Sequence, residues 1–387
     1  MTDRPSIAPE RYAERLDRAR VIARQQGVAG LLVGVGADLR YLTGYNAMPL
    51  ERLTMLVLPA DGPASLLAPR LEAMRAAGCP AASAGLVEVV AWDETDDAHA
   101  LAAARFQPSG APRSDAPALV SSSLWAMHVL ALQRALPGRP FGLATDVLRA
   151  LRMAKDADEI TLLRLAAQAA DRALAGIAAG PLIGRTEIEV SREIRDRLMA
   201  EGHDDAGFAI VASGPNSASP HHEPGERRLA AGEPVVLDIG GSLGGYQSDT
   251  TRTIWIAGPR QERPPDLTYL EIHELVRKAN VRATSAVQPG AACEAIDATA
   301  RRVIEDGGFG PEFLHRTGHG IGLEGHEEPY LVRGNAEPLR AGVAFSIEPG
   351  IYLAGRFGVR IEDIVICGAS AADVLNELPR EAWVVTG

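Results

Sequence analysis

Four carboxylates stand inside runs that read as buried strands. They are Asp238 in Val235-Val236-Leu237-Asp238-Ile239-Gly240, Asp249 in Tyr246-Gln247-Ser248-Asp249-Thr250, Glu348 in Phe345-Ser346-Ile347-Glu348-Pro349, and Glu362 in Val359-Arg360-Ile361-Glu362-Asp363-Ile364. Asp and Glu are rarely buried unless paired or bound to a metal, because leaving water penalises the charged form. Asp238 and Asp249 are eleven residues apart with glycines between them. A hairpin with a two-residue turn at Leu243-Gly244 would set them directly opposite, on one face, with Cβ atoms ~5 Å apart. Glu348 and Glu362 are fourteen apart around Ala354-Gly355-Arg356. A three-residue turn with Gly in the middle would oppose them in the same way. Four anions converging in a dry site need roughly four compensating positive charges. Two divalent cations supply that number.

His319 offers the remaining kind of ligand, in His315-Arg316-Thr317-Gly318-His319-Gly320-Ile321-Gly322-Leu323-Glu324-Gly325-His326. Its flanking glycines permit close approach of backbone or metal. Carboxylates, imidazole and no thiolate suit Mn²⁺, Co²⁺, Fe²⁺ or Zn²⁺. Two such ions ~3.5–4 Å apart would hold a bridging hydroxide and polarise a carbonyl. A rival motif falls in the first hairpin: Gly240-Gly241-Ser242-Leu243-Gly244 matches a serine-hydrolase nucleophile elbow. That elbow needs a strand-to-helix turn. Tyr246–Ile256 reads instead as a second strand, so Ser242 is a poor nucleophile.

The elements that would position these groups lie beyond about residue 150. Asp156 with Glu159 and Thr186 with Glu189 have helix-capping spacing, and further helices are expected over Asp266–Val287 and Cys293–Glu305. Strand patterns cover Ala209–Ala212, Pro234–Ile239, Tyr246–Ile256, Val343–Leu353 and Gly358–Ile366. Helices segregated from hairpins indicate an α+β domain over 151–387. Before it, an amphipathic helix over residues 8–26 leads into alternating strands and helices, an α/β domain over 1–150. Its Gly34-Val35-Gly36 is too little for a dinucleotide fingerprint.

Composition removes other classes. With 39 basic against 50 acidic residues the net charge is −11, a poor match to nucleic acid or an anionic membrane. Only two lysines occur, Lys155 and Lys278, so Schiff-base chemistry has little room. The three cysteines, Cys79, Cys293 and Cys367, are far apart, which argues against a disulfide framework and fits a reducing cytosol. Met1-Thr2-Asp3-Arg4-Pro5 begins no apolar signal core, and no apolar run approaches the ~20 residues of a membrane span. The expectation is a soluble, cytoplasmic protein.

The signature Asp238-x10-Asp249, Gly318-His319-Gly320-Ile321-Gly322, Glu348-Pro349-Gly350-Ile351-Tyr352 and Arg360-Ile361-Glu362-Asp363 resembles the prolidase/aminopeptidase P metallopeptidases. These have the pita-bread catalytic fold. The resemblance covers about residues 150–387. Asp38-Leu39-Arg40-Tyr41-Leu42-Thr43-Gly44 resembles, more weakly, the creatinase-type N-terminal domain that precedes that fold.

The resemblance implies two divalent ions (Mn, Co or Zn) on Asp238, Asp249, His319, Glu348 and Glu362, with Asp249 and Glu362 bridging. It also implies His221 (following Pro220) and His326 as catalytic histidines, His315 on the substrate side and Thr251 near the metal-bound water. It further implies substrate-handling roles for Tyr352 and Arg360, and a homodimer. Leu243 departs from the family, where many relatives carry Tyr, which questions the pocket lining. The implied activity is hydrolysis of Xaa-Pro bonds in small peptides, as dipeptidase or aminopeptidase, without a covalent intermediate. Glu348 is the candidate proton acceptor. Arg360, with help from His222 or His315, is the candidate for the dipeptide's carboxylate. A metal-dependent hydrolase or lyase acting on a non-peptide small amide is the alternative.

Overall fold

The computed structural model describes residues 4–107, 115–263 and 265–386. Met1–Asp3 of the amino terminus, and Pro264 in the polar loop after the second hairpin strand, lie outside those residues. Two compact units result, Ile7–Arg152 and one built chiefly from Met153–Gly387. No helix among the described residues is long and apolar enough to cross a membrane.

The first unit runs α1 (Pro9–Gln25), β1 (Gly30–Gly34), α2 (Ala37–Thr43), β2 (Met55–Pro59), β3 (Ser65–Pro69), α3 (Ala73–Ala77), α4 (Pro80–Ser83), β4 (Glu88–Trp92), α5 (Ala98–Phe106), β5 (Ala118–Val120), α6 (Ala126–Ala135), β6 (Phe141–Leu143) and α7 (Thr145–Met153). The strands form one mixed sheet in the order β4-β3-β2-β1-β5-β6. Leu32, Met55, Val57 and Leu67 pack against Ala102, Phe106 and Leu132 of α5 and α6. The Asp38–Gly44 string forms α2, ended by Gly44 at φ 74°, the left-handed conformation that only Gly adopts freely.

The second unit contains α8 (Ala157–Ala178), α9 (Glu187–Ala200), β7 (Asp205–Ser213), β8 (Glu233–Leu243), β9 (Tyr246–Ile256), α10 (Leu267–Ser285), α11 (Cys293–Asp306), β10 (Gly318–Gly320), β11 (Glu327–Leu331), β12 (Ala344–Ile347), β13 (Gly350–Leu353), β14 (Phe357–Arg360), β15 (Asp363–Cys367), β16 (Ala372–Val374) and β17 (Trp383–Val385). Both expected capping boxes, Asp156/Glu159 and Thr186/Glu189, are formed. One sheet is ordered β17-β9-β8-β7, the other β11-β10-β12-β15-β16. This is the mixed α+β, pita-bread arrangement.

Alternation along the strands sorts the chemistry. Val235, Leu237, Ile239 and Ile254 pack under Leu174, Ile177, Val190 and Ile194 of α8 and α9. Phe345, Ile347, Val365 and Cys367 pack with Ile272, Val276, Ile296 and Ala300 of α10 and α11. Each sheet thus buries one face under a helix pair. The intervening positions, which include Asp238, Asp249, Glu348 and Glu362, fall on the other face.

Two register results bear on the site. The β8–β9 turn is Gly244-Gly245, not Leu243-Gly244, so Asp238 stands opposite Thr251 and Asp249 opposite Gly240. The two aspartates are diagonal neighbours on one face rather than a directly opposed pair. The reason is turn chemistry. Both central residues have positive φ, 61° and 93°, which Gly accepts and Leu resists. The second hairpin turns at Ala354-Gly355-Arg356 as expected, with Leu353 opposite Phe357. It is broken, however: β12 pairs with β15 and β13 with β14, and Glu348 and Glu362 lie in the two breaks.

Arg252 locks the two hairpins together. Its five N–H groups donate to the carbonyls of Thr251, Glu362, Leu378 and Pro379 and to the Asp363 carboxylate, at 2.6–2.9 Å. Arg252 and Asp363 are fully buried. Breaking a buried charge pair costs several kcal/mol, whereas exposed pairs contribute little. We expect Arg252→Met to destabilise the protein by about 3 kcal/mol or more. Arg164→Ala, which removes a partly exposed pair with Asp373, should cost under ~1 kcal/mol. Urea denaturation of both variants checks this, and equal losses would show that Arg252 is no clamp.

Candidate active site

The cavity of about 580 Å³ in the second unit is lined by Asp238, Asp249, Glu348, Glu362, His319, His221, His315, His326, Arg316 and Arg360, with Phe208, Ile210 and Pro220 as an apolar wall. A volume of that order suits a small molecule. Ligand atoms of Asp238, Asp249 and Glu362 lie within 4.8 Å of one another, as do those of His319, Glu348 and Glu362, and those of Asp249, His319 and His326. Asp249, Glu362 and His319 each belong to two of these groups, and Asp238, Glu348 and His326 to one.

The carboxylates are held against their own repulsion. Burial, then the charges of Glu362, Asp238 and Glu348, push the Asp249 carboxyl well above its ordinary range. Burial, then Glu348 and Asp238, does the same to Glu362. Burial raises Glu348 to about 7, against the pull of Arg360. One oxygen of Asp238 and one of Glu362 are buried without a hydrogen-bond partner. Unsatisfied buried carboxylate oxygens are costly. Converging oxygen donors with one imidazole are the donor set that divalent cations take, so the residues fit such ions.

His319 is fixed for ligation. Its Nδ1 faces the Gly320 carbonyl at 3.1 Å, so Nδ1 carries the proton and Nε2 presents its lone pair. Nε2 lies 3.3 Å from Glu348 and 3.7 Å from Asp249. Burial, with the nearby His326, pushes its pKa down to about 3, which keeps the ring neutral. The flanking glycines serve the backbone: a Cβ on Gly318 would overlap the Ser346 carbonyl, and one on Gly320 the Glu328 carbonyl.

Thr251 donates to Glu362 at 2.7 Å, orienting that carboxylate. Arg360 does not face the cavity with a free fork. It donates to Asp238, to Tyr352 Oη at 2.8 Å, to Thr251 Oγ1 at 3.2 Å and to the Pro220 carbonyl at 3.3 Å. These contacts tie Arg360 to Asp238 and to the segment that carries Pro220. Tyr352 lies behind Arg360 and completes a chain through His315 Nε2 at 2.8 Å, while His315 Nδ1 meets the Arg316 carbonyl. Burial, then Arg360, pushes His315 down to about 4, which keeps the ring neutral.

His221 lines the cavity and His222 turns away to Glu187 at 2.8 Å. Sequence reasoning missed Glu187. Fully buried, it accepts from Ser213 N and Oγ, Asn216 Nδ2, His222 Nε2 and Gly225 N, tying down both ends of the loop that carries Pro220 and His221. Its signal was an acidic residue at the start of α9, which reads as ordinary dipole compensation. His326 stacks on His319 with centroids 3.7 Å apart. Ser242 stands opposite Gln247 in the β8–β9 hairpin, which joins two strands and is not a strand-to-helix turn. Leu243 is buried beside that turn and does not line the cavity.

A raised acid pKa means the folded state holds the proton more tightly than the unfolded chain. The associated stability is present below the unfolded value of about 4.3 and is lost as pH rises through about 7 for Glu348. Asp249 and Glu362 act in the same direction. In chelator, the unfolding temperature should fall between pH 5 and 8. Added Mn²⁺ should flatten or reverse that slope, because metal binds the deprotonated ligands. A chelated protein with a flat profile by scanning fluorimetry would contradict this account of the cluster.

Comparison with known proteins places this geometry. The profile of metallopeptidase family M24 matches residues 161–369, and that of the creatinase/prolidase N-terminal domain matches 15–154. A probable dipeptidase PepE of Mycobacterium tuberculosis is 45% identical over 377 residues, 97% of each chain. The crystal structure of dipeptidase PepE from Mycobacterium ulcerans superposes with TM-score 0.90 at 44% identity, covering 98% of this chain and 99% of that one. The prolidase of Thermococcus sibiricus gives TM-score 0.87 at 35% identity, covering 97% and 99%.

Proposed function

Because this chain belongs to metallopeptidase family M24, we propose that it hydrolyses Xaa-Pro bonds in small peptides, acting as a dipeptidase at a site for two divalent ions. The observation that carries the reading is the pair of overlapping donor groups, Asp238/Asp249/Glu362 and His319/Glu348/Glu362, on the floor of one small cavity. Relatives named as dipeptidases and prolidase along nearly the whole chain support the substrate class. In this reading Asp238, Asp249, His319, Glu348 and Glu362 would hold the two ions, with Asp249 and Glu362 shared between them. Mn, Co or Zn would suit these donors. Bound there, divalent ions polarise a carbonyl and make water nucleophilic near neutral pH.

The remaining chemistry belongs to the protein. Glu348, whose protonated form burial favours, accepts the proton from the attacking water and delivers it to the leaving nitrogen. His326 and His221 stand at the cavity wall, where an N–H can steady the oxyanion. Thr251 and Arg360 hold Glu362 and Asp238 in place. A prolyl nitrogen carries no N–H, so recognition of the bond rests on ring shape. Phe208, Ile210 and Pro220 supply the apolar wall for that ring. The three buried free thiols suit a reducing compartment, and we take the protein to work in the cytoplasm, as a homodimer by family likeness.

Asp249→Asn should lose metal and activity together, because a bridging ligand serves both ions. Full occupancy by elemental analysis in that variant would defeat the assignment. His326→Ala should lower kcat by about 10²-fold while metal content stays at the wild-type level. The substrate class is tested on metal-reconstituted protein with Xaa-Pro dipeptides, Xaa-Pro-Yaa peptides and non-peptide amides. Faster cleavage of the longer peptides would make it an aminopeptidase, and cleavage of the non-peptide amides alone would overturn the peptidase reading.

A further inference from the structure

A dipeptide differs from a longer peptide by a free carboxylate beside the proline ring, and the cavity must contain a cation for it if it prefers dipeptides. Arg360 is committed to Asp238, Thr251, Tyr352 and Pro220. His222 is spent on Glu187, and both nitrogens of His315 are engaged. Arg316 is the other guanidinium lining the cavity, and among the described residues it has no carboxylate partner.

We infer that Arg316 takes the free carboxylate of the Xaa-Pro dipeptide and so sets the preference for dipeptides; this rests on the reading just proposed.

The side chain is built for the task. Its guanidinium carbon lies over the Tyr330 ring, 4.2 Å from the centroid. A cation–π contact of that kind restrains the head group while its N–H groups remain available for hydrogen bonds. One Nη2–H reaches His326 Nδ1 at 3.2 Å, which leaves the remaining N–H groups for a ligand. The backbone beneath is clamped. Arg301 donates to the carbonyls of Phe313 and His315 at 3.2 and 2.9 Å, and Asp297 accepts from Thr317 N and Oγ1 at 3.1 and 2.8 Å. Arg316 therefore stands on a fixed segment next to His326. A carboxylate held by its fork would place the proline ring in the cavity with the scissile carbonyl toward the carboxylate cluster. An unpaired, half-buried guanidinium facing a planar anion gives a bidentate, charge-assisted contact that Lys cannot reproduce.

The hydrogen bond to His326 offers a rival role, in which Arg316 only orients that ring. The two roles separate kinetically. In the metal-loaded protein, Arg316→Gln should raise KM for Ala-Pro by about tenfold to a hundredfold relative to its change for Ala-Pro amide, the range for one lost charge-assisted bond. The inhibition constant of free proline should rise in parallel, and that of prolinamide should not. Arg316→Lys, which keeps the charge without the fork, should show a smaller shift of the same selectivity, and it settles the matter should the Gln variant fold poorly. Equal kcat losses on acid and amide, with no change in proline inhibition, would overturn the inference and leave Arg316 as a positioning residue for His326. A wild type that cleaves the amide as efficiently as the acid would overturn it as well. A wild type that cleaves neither would instead defeat the Xaa-Pro reading itself.

Discussion

Four carboxylates are forced into one buried volume, and their mutual repulsion is the constraint to which the rest of the catalytic unit answers. Asp238, Asp249, Glu348 and Glu362 are all buried or nearly so, and the cation among them is Arg360, which reaches Asp238. One positive charge against four negative ones leaves the cluster short. The shortfall appears in the raised carboxyl pKa values and in the two oxygens without partners. A scaffold that tolerates this must be stable for other reasons. Here those reasons are the two helix-covered apolar cores and the Arg252 clamp. The stability lies behind the sheets and the electrostatic cost lies in front of them, because strand alternation assigns successive residues to opposite faces.

The same constraint explains the division of labour among the basic groups. A cation free to move among four anions would neutralise the cluster and block it. Arg360 avoids this because its other N–H groups are fixed by Tyr352, Thr251 and the Pro220 carbonyl. The histidines nearest the cluster contribute no charge, since burial holds His319 and His315 neutral and carbonyl contacts set which nitrogen carries the proton. His319 is thereby left with a lone pair and no charge, which is what a ligand needs.

Much of this was legible in the sequence, and the misses have physical causes. Carboxylates inside apolar strands are a strong signal because burial of charge is rare. Capping residues gave α8 and α9, and the alternating pattern gave β9. The first hairpin was misregistered by one residue at each side of the turn, because Leu243-Gly244 satisfies only one of the two positive-φ positions that Gly244-Gly245 satisfies together. The proximity of Arg360 to Glu362 is visible in sequence, while its partners Asp238, Tyr352 and Pro220 are 8 to 140 residues distant. Glu187 and Arg252 were invisible for the same reason. Their importance lies in how many donors or acceptors converge on them, which is a property of the folded chain.

The carboxylates and the groups that surround them sit on different kinds of backbone here. Asp238 and Asp249 belong to the longest ladder in the unit, β8–β9, and Glu348 and Glu362 interrupt a second one. Shifting any of them by a residue would turn the side chain into an apolar core. His221, Arg316 and His326 instead sit between strands, on segments held by side-chain anchors: Glu187 for the first, Asp297 and Arg301 for the second, and the buried Lys155–Glu327 pair beside the third. Such anchors fix a loop without fixing which residues it displays. Replacing a displayed side chain therefore changes one group at the cavity wall while leaving the carboxylate cluster where the ladders put it. The ladders fix where the carboxylates stand, and the anchored segments fix which side chains surround them.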